Sequence, residues 1–165
     1  MSRWLSTMKM SGPTIYSVSK DGETSYELSG SEGEKHFHGS LAKAGPKIYV
    51  YSHGGSIIYV GITRQTMAAR ISLGINPKYS KHYRGYKFFD DYSSVTLHVW
   101  CLSDLSPIKE EANADLQKIE CEVVYLYRYY FRQWPKSQTG IHFAKTEPEH
   151  RRLAMRIFKE FYEIY

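Results

Sequence analysis

Cysteine is scarce in this chain, and long apolar runs are missing. Cys101 and Cys121 are the only two cysteines among 165 residues, which favours two buried thiols over a disulfide framework. No stretch reaches the roughly eighteen consecutive apolar residues of a membrane-spanning helix. The first residues also lack the apolar core of a secretory signal, so we expect a cytoplasmic protein with no membrane partner.

Several common enzyme sites are missing as well. His36 and His38 are close together, but no cysteine or third histidine stands at a zinc-ligand spacing from them. No Ser-His-Asp order can be read, and no G-x-x-x-x-G-K-[ST] phosphate loop occurs. These absences leave zinc enzymes, serine hydrolases and P-loop ATPases without support.

Positive charge and tyrosine are abundant instead. The net charge is +5, the pI is near 9.1, and fifteen of the residues are tyrosines. A mild basic excess favours a polyanionic partner without identifying one. Apolar residues make up 42% of the chain, which is typical of one globular domain at this length.

The predicted elements give an α+β fold with a small three-stranded, mostly antiparallel sheet flanked by helices. Residues 1–46 are weakly periodic and broken by glycine and proline, with short strands expected only at 24–28 and 36–38. We interpret this region as an N-terminal arm. Residues 47–132 would form the catalytic core, and residues 133–165 a tail and a C-terminal helix that packs on it.

A β-hairpin and a short helix open the core. Residues 47–51 and 57–62 are rich in Ile, Val and Tyr, as strands are, and the Gly54-Gly55 pair favours a tight turn between them. Thr66 is expected to cap a helix that ends at Gly74. Residues 94–100 alternate and predict the third strand.

Two further helices are predicted. Ser106-Pro107 is expected to begin a long helix that runs to about Arg132. Thr146 and Glu149 have the spacing of a capping box and predict the start of the last helix. Leu153, Ile157, Phe161 and Ile164 would form the core-facing stripe of that helix.

One acidic residue interrupts an apolar stripe of the long helix. Glu120 shares a face with Leu116 and Val124, so its carboxylate needs a cation, hydrogen-bond partners or a proton. Glu122 stands four residues after Lys118 and is interpreted as a solvated ion-pair position. Since Mg²⁺ prefers oxygen ligands, Glu120 is the candidate metal ligand. The plain alternative is an acid paired with a nearby Lys or Arg.

The segment from residue 76 to residue 87 combines basic and aromatic residues without a single acid. This combination is typical of a polyanion-binding loop. The alternative is a solvated loop whose tyrosines pack against the domain. The candidate contacts to nucleic acid in this loop are Lys78, Tyr79, Lys81, His82, Tyr83, Arg84 and Lys87.

Three residues of the hairpin and the first helix suggest chemistry on a phosphodiester. If Tyr49 and Tyr59 share one face of the sheet, both hydroxyls could reach one phosphate, and Arg70 could offset its charge. The alternative is that the tyrosines are ordinary strand aromatics and Arg70 is a surface charge.

The pattern resembles the signature of the GIY-YIG nuclease superfamily. The residues that carry the resemblance are Lys47-Ile48-Tyr49, then Tyr59-Val60-Gly61 ten residues later, and Arg70 in Ala69-Arg70-Ile71. Glu120, followed by Val123-Val124, fits the family's metal-binding glutamate. The resemblance implies the family's three-stranded fold, with Tyr49 as general base, Tyr59 supporting the phosphate or water, Arg70 as phosphate clamp and Glu120 as the sole protein ligand of one Mg²⁺, for which Mn²⁺ is an alternative.

The chain departs from the family pattern at three places. Lys47 replaces the first glycine of the motif. Ile62 stands where some members carry a polar helper, which Lys78, Lys81 or His82 could replace. In the tail, Gln138 or His142 would take the position of a family asparagine.

We therefore expect a Mg²⁺-dependent endonuclease of double-stranded DNA that resembles a small type II restriction enzyme. A palindromic target would require a homodimer. Arg64, Gln138 and His142 are further candidate DNA contacts. Three alternatives stay open: a structure-specific repair or recombination nuclease, a mobile-element nuclease, and a non-catalytic nucleic-acid-binding module.

Overall fold

The computed structural model describes residues 8–79 and 86–164, which form an α+β structure around one antiparallel sheet. The sheet has five strands in the order β2-β1-β5-β3-β4, so the expectation of three strands is wrong. The strands are β1 (Lys9–Asp21), β2 (Ser25–Gly30), β3 (Lys47–His53), β4 (Ser56–Thr63) and β5 (Ser94–Ser103). The helices are a 3₁₀ turn (Gly39–Ala42), α1 (Met67–Ile75), α2 (Phe88–Asp91), α3 (Lys109–Phe131) and α4 (Pro148–Phe158).

The two additional strands come from the region interpreted as an arm. β1 pairs with β5 along most of its length and with β2 at its C-terminal end, so residues 9–30 belong to the sheet. Their alternation was obscured because the register of β1 shifts between Ser11 and Thr14, at Gly12-Pro13. The strand expected at 36–38 is absent, although Phe37 is buried in the core.

The hairpin forms as predicted. β3 and β4 pair through a turn at Gly54 and Gly55, whose φ angles are +58° and +79°, values that glycine adopts without steric cost. The hydroxyl of Thr66 accepts a hydrogen bond from the Ala69 amide and caps α1. Gly74 does not end α1 but lies within it.

The two faces of the sheet carry separate cores, because neighbouring strand residues point to opposite sides. Tyr49 and Tyr51 contribute to the core beneath α1 and α2. Ile48 and Val50 contribute to the core beneath α3 and α4. α1 and α3 therefore lie on opposite faces, and β4 is the edge strand between them.

The helix starts differ from the predicted ones. α3 begins at Lys109 with Ile108 as its N-cap, so Ser106 does not cap it; its end at Phe131, one residue before Arg132, agrees with the prediction. The N-cap of α4 is Glu147, and its capping box involves His150 rather than Thr146 and Glu149. Pro148 fixes this start because it suits the first helical position.

Polar contacts bind α4 to α3. His150 Nε2 lies 2.8 Å from an Asp115 carboxylate oxygen, and Arg151 lies 3.7 Å from the carboxylate of Glu122. Glu122 also accepts a hydrogen bond from the hydroxyl of Thr146. Glu122 therefore forms an ion pair, as interpreted, but its partners are Arg151 and Thr146 and its side chain is partly buried, so it anchors the C-terminal segment. No helix of the described residues is long and apolar enough to cross a membrane.

Candidate nuclease site

Tyr49 lies at the centre of a buried group of tyrosines on the α1 side of the sheet. Its side chain has no exposed surface. Its hydroxyl accepts a hydrogen bond from Arg70 Nε at 2.9 Å and lies 3.1 Å from the hydroxyl of Tyr86. Burial raises the pKa of the Tyr49 phenol well above its ordinary value, although the charge of Arg70 opposes the rise.

Arg70 is held by this group while part of it stays exposed. α1 carries it above the sheet, where its guanidinium carbon lies 5.9 Å from the ring centre of Tyr49 and 5.2 Å from that of Tyr86. Burial by itself lowers the pKa of Arg70, but the surrounding phenols outweigh this effect and raise it. The guanidinium therefore stays charged at every working pH.

Tyr59 lies beside Tyr49 with its ring partly open to solvent. It pairs with Tyr51 across the hairpin, and its ring centre is 6.2 Å from that of Tyr49. Burial raises the pKa of the Tyr59 phenol, Arg70 lowers it, and Glu120 raises it. The pKa of Tyr59 therefore depends on both Arg70 and Glu120.

Glu120 reaches the same group of residues from the opposite face of the sheet. It is half-buried on α3, which packs against the edge strand β4, and its carboxyl group interacts electrostatically with Arg70 and Tyr59. Burial raises the pKa of its carboxyl group from 4.5 to about 7, and Arg70 limits the rise. The structure thus brings together Tyr49, Tyr59, Arg70 and Glu120.

Two glycines make room for the tyrosines. Gly61 pairs with Tyr49 across the hairpin, and a Cβ at Gly61 would lie 2.5 Å from the Tyr49 hydroxyl oxygen. A Cβ at Gly74 would clash in the same way with the ring of Tyr86. Gly61 is therefore needed for the close approach of the Tyr49 ring to the backbone of β4.

The donor set around Glu120 suits an ion that needs few protein ligands. The described residues contain no group of three or more His, Cys, Asp or Glu side chains that could hold a metal, so no cage of protein ligands surrounds an ion. Mg²⁺ commonly keeps several waters and uses one or two carboxylates together with substrate phosphate oxygens. A half-buried carboxylate that interacts electrostatically with an arginine fits that pattern.

Lys47 replaces the first glycine of the motif for a structural reason. Its side chain is buried, and its ammonium donates to the carbonyl oxygens of Lys43, Gly45 and Gln65 at 2.7, 2.9 and 3.0 Å. Burial lowers the pKa of this ammonium. Since all three of its donors are used, Lys47 ties the start of β3 to the end of β4 and is not available to a phosphate.

The predicted DNA contacts fall into different environments. Lys78, Tyr79 and Lys87 are exposed, whereas Lys81, His82, Tyr83 and Arg84 lie outside the described residues. His142 is exposed and Arg64 is half-buried. The amide group of Gln138 binds both the N–H and the carbonyl of Val60 at 2.9 and 3.1 Å. Gln138 is therefore engaged with the β4 edge, and its role as a DNA contact stays a prediction.

Tyr86 is the site residue that sequence reasoning missed. It was read as part of the basic loop, yet its side chain is buried against Tyr49 and Arg70. Gly74 was the available signal, because a glycine inside a helix often marks a close approach.

A separate cleft of about 800 Å³ lies elsewhere. Its lining includes Glu111, Asp115, Glu147 and Glu149, and these acids would repel a phosphate.

Comparison with known proteins returned no relative: no family model, no curated protein and no solved structure matches this chain. The function is therefore argued from the geometry of the site together with the motif.

Proposed function

We propose that this protein is a Mg²⁺-dependent DNA endonuclease with a GIY-YIG-like site. The observation that carries the proposal is the meeting of Tyr49, Tyr59, Arg70 and Glu120 at one sheet edge. Hydrolysis of a phosphodiester needs a proton acceptor, a cation for the phosphoryl oxygens and a ligand for a metal. These four side chains supply one candidate for each need.

Arg70 is the phosphate clamp in this proposal. It is the one cation among the four side chains. Its Nε–H donates to the Tyr49 hydroxyl, and the other N–H groups of the guanidinium remain as further donors. A planar guanidinium can donate two parallel hydrogen bonds to phosphate oxygens. The half-exposed position of Arg70 leaves it accessible from solvent.

Tyr49 is the general base in this proposal. Its phenolate would be favoured by the charge of Arg70 at 2.9 Å and disfavoured by burial. Because Arg70 and Tyr86 cover its hydroxyl, we propose that water reaches Tyr49 when Arg70 turns toward a bound phosphate. Tyr59, which is more exposed, then donates a hydrogen bond from its hydroxyl to the phosphate or to the attacking water.

Glu120 would hold the metal ion, Mg²⁺ or Mn²⁺. A bound divalent ion supplies positive charge to the phosphoryl oxygens and to the leaving oxygen. Glu120 must be ionised to act as a ligand. Its raised pKa, about 7, therefore ties the proposed activity to neutral or alkaline conditions.

The proposed substrate is duplex DNA, and the proposed type is a site-specific restriction endonuclease that acts as a homodimer. The net charge of +5 and the exposed Lys78 and Lys87 support a polyanionic substrate. Palindromic target sites match a twofold dimer. Light scattering that finds only monomer, with and without DNA, would remove the dimer from the proposal.

The test is incubation of the purified protein with plasmid DNA in Mg²⁺ and in EDTA, followed by sequencing of the ends. Discrete fragments in Mg²⁺ alone would support a restriction enzyme. Cutting confined to branched or damaged DNA would favour a repair or recombination nuclease, and scattered cuts a mobile-element nuclease. Salt-sensitive binding without any cutting would favour a binding module and overturn the proposal.

A further inference from the structure

Six side chains, five exposed and one partly buried, form a surface at the C-terminal end of α3 and in the segment after it. We call this surface the aromatic-arginine platform; its members are Tyr125, Arg128, Tyr129, Arg132, Trp134 and Phe143. The first four share one side of the helix, at spacings of three, one and three residues. Tyr125, Tyr129 and Phe143 are 49%, 62% and 71% exposed, so much of their aromatic surface faces solvent.

The two arginines of the platform lie over aromatic rings and have no acidic partner. The guanidinium carbon of Arg128 is 5.4 Å from the ring centre of Trp134, and that of Arg132 is 5.7 Å from the ring centre of Tyr129. Among residues 8–79 and 86–164, no carboxylate lies within 4.0 Å of either guanidinium. Their uncompensated charge is complementary to phosphate.

Three rings of the platform pack edge to face. Tyr125 contacts Trp134 and Phe143 with interplanar angles of 74° and 84°, at centroid distances of 6.4 and 6.0 Å. Edge-to-face packing orders exposed rings without stacking them on each other. Such rings can accept unpaired bases on their faces, and this mode of binding tolerates any base sequence.

The segment after α3 links the platform to the candidate nuclease site. Ser137, three residues after Trp134, donates a backbone hydrogen bond to the Ile58 carbonyl, and the side chain of Gln138 binds Val60. These contacts flank Tyr59, so the chain between Trp134 and Gln138 runs from the platform to the β4 edge of the site. The helical members of the platform follow Glu120 along the chain, at an axial rise of about 8–18 Å.

We propose that the platform binds an unpaired stretch of the DNA strand next to the phosphate that is cut. This inference rests on the proposed nuclease function, and it adds to the proposed duplex substrate that one strand becomes unpaired next to the cut. The guanidiniums contact phosphates, and the rings stack on exposed bases. The alternative occupant, a second copy of this chain, is an outcome of the test.

The experiment measures binding by fluorescence anisotropy in EDTA, with the Glu120→Gln protein, so that no cutting occurs. The probes are labelled oligo(dT) and a blunt duplex of the same length. Tyr129→Ala and Arg132→Ala are each expected to weaken oligo(dT) binding about tenfold, as expected for the loss of one stacked base or one charged contact. Duplex binding should fall less than this.

The control is the double variant Lys35→Ala, Lys43→Ala, which removes two exposed charges outside the platform. It should leave the preference for oligo(dT) over duplex unchanged. Trp134 gives a second readout: its emission should be quenched by oligo(dT), and the quenching should be lost in Trp134→Phe.

The results separate the two proposals. Unchanged oligo(dT) binding in both platform variants, or equal losses for the two probes, would overturn the platform. So would a loss of self-association in Tyr129→Ala with unaltered oligo(dT) binding, because the surface would then be a contact between copies. If oligo(dT) binding depends on the platform but wild-type protein never cuts DNA in Mg²⁺, the nuclease function fails and the platform stands.

Discussion

The hydroxyl oxygen of Tyr49 accepts a hydrogen bond from Nε of Arg70 at 2.9 Å. The two residues come from a strand and from the helix that follows the hairpin, and their contact buries the phenol while part of the arginine stays exposed. Substitutions at either end of this contact therefore have distinguishable effects on DNA cutting and on folding.

Tyr49→Phe should abolish cutting while DNA binding persists, because it removes the proposed proton acceptor and keeps the ring. General-base catalysis commonly contributes about 10²–10⁴-fold in rate, so a loss of that size is expected under single-turnover conditions. Tyr51→Phe is the matched control. Tyr51 is equally buried on the same strand, and its hydroxyl has no hydrogen-bond partner in the described part of the chain. Equal losses in the two variants would mean that the loss of any hydroxyl from this buried group, and not the loss of a proton acceptor, explains the effect.

Glu120→Gln should also abolish cutting, because a neutral amide is a poor ligand for Mg²⁺. Glu122→Gln, two residues away, should keep its activity. It loses the ion pair with Arg151, yet its amide oxygen can still accept the hydrogen bond from Thr146. Cleavage assays over a range of Mg²⁺ concentrations test both variants. An essential Glu122 beside a dispensable Glu120 would show that the wrong carboxylate was assigned to the metal.

The same carboxylate should make the protein less stable as the pH rises. The folded-state pKa of Glu120 is about 7, above its ordinary value of 4.5, so the folded chain binds the proton more tightly than the unfolded chain. The free energy of unfolding should therefore fall between pH 4.5 and 7 and stay lower above that range, by at most about 3 kcal/mol.

Urea unfolding at pH 5 and pH 8 measures this effect, with Glu120→Gln as the comparison. The variant should be the more stable protein at pH 8, and the difference between the two proteins should shrink at pH 5. A wild type that is the more stable of the two at pH 8 would show that Glu120 already has a stabilising partner.

Gly61→Ala should destabilise the fold and impair cutting together. The new Cβ would lie 2.5 Å from the hydroxyl oxygen of Tyr49, and overpacking of this kind commonly costs about 1–3 kcal/mol. Gly140→Ala is the control, because a Cβ at Gly140 would lie 3.6 Å from a ring nitrogen of His142, an ordinary van der Waals distance. Thermal melts of the two variants would decide; equal melting temperatures would mean that the Tyr49 ring can shift freely.

Local patterns were sufficient for the hairpin and for the cap of α1. Gly54-Gly55 permits little other than a tight turn, and the β-branched and aromatic runs on either side favour strands. The apolar stripe of α3 likewise selects Glu120 over Glu122 as the candidate metal ligand, and this choice stays a prediction. Each of these inferences depends on residues close together in the sequence.

Long-range contacts explain what the sequence did not reveal. The pairing of β1 with β5 joins residues that are 75 to 94 positions apart, and the Gly12-Pro13 break hides the alternation of β1. Glu122 contacts Arg151 on α4 and Thr146 in the segment just before α4. The spacing of residues on α3 therefore could not identify these partners. In the sequence Tyr86 resembles Tyr79, an exposed residue of the same segment, because its burial depends on contacts with Gly74 and Arg70 of α1.

The most direct test of a shared phosphate site is a double-mutant cycle on single-turnover cleavage of DNA in Mg²⁺, with the wild type, Tyr49→Phe, Glu120→Gln and the double variant. If both residues act on one phosphate, each single variant should lose about 10²-fold or more in rate, and the double variant should be little slower than the slower single. Multiplicative losses, single variants that cut as fast as the wild type, or a wild type without any Mg²⁺-dependent cutting would contradict the account.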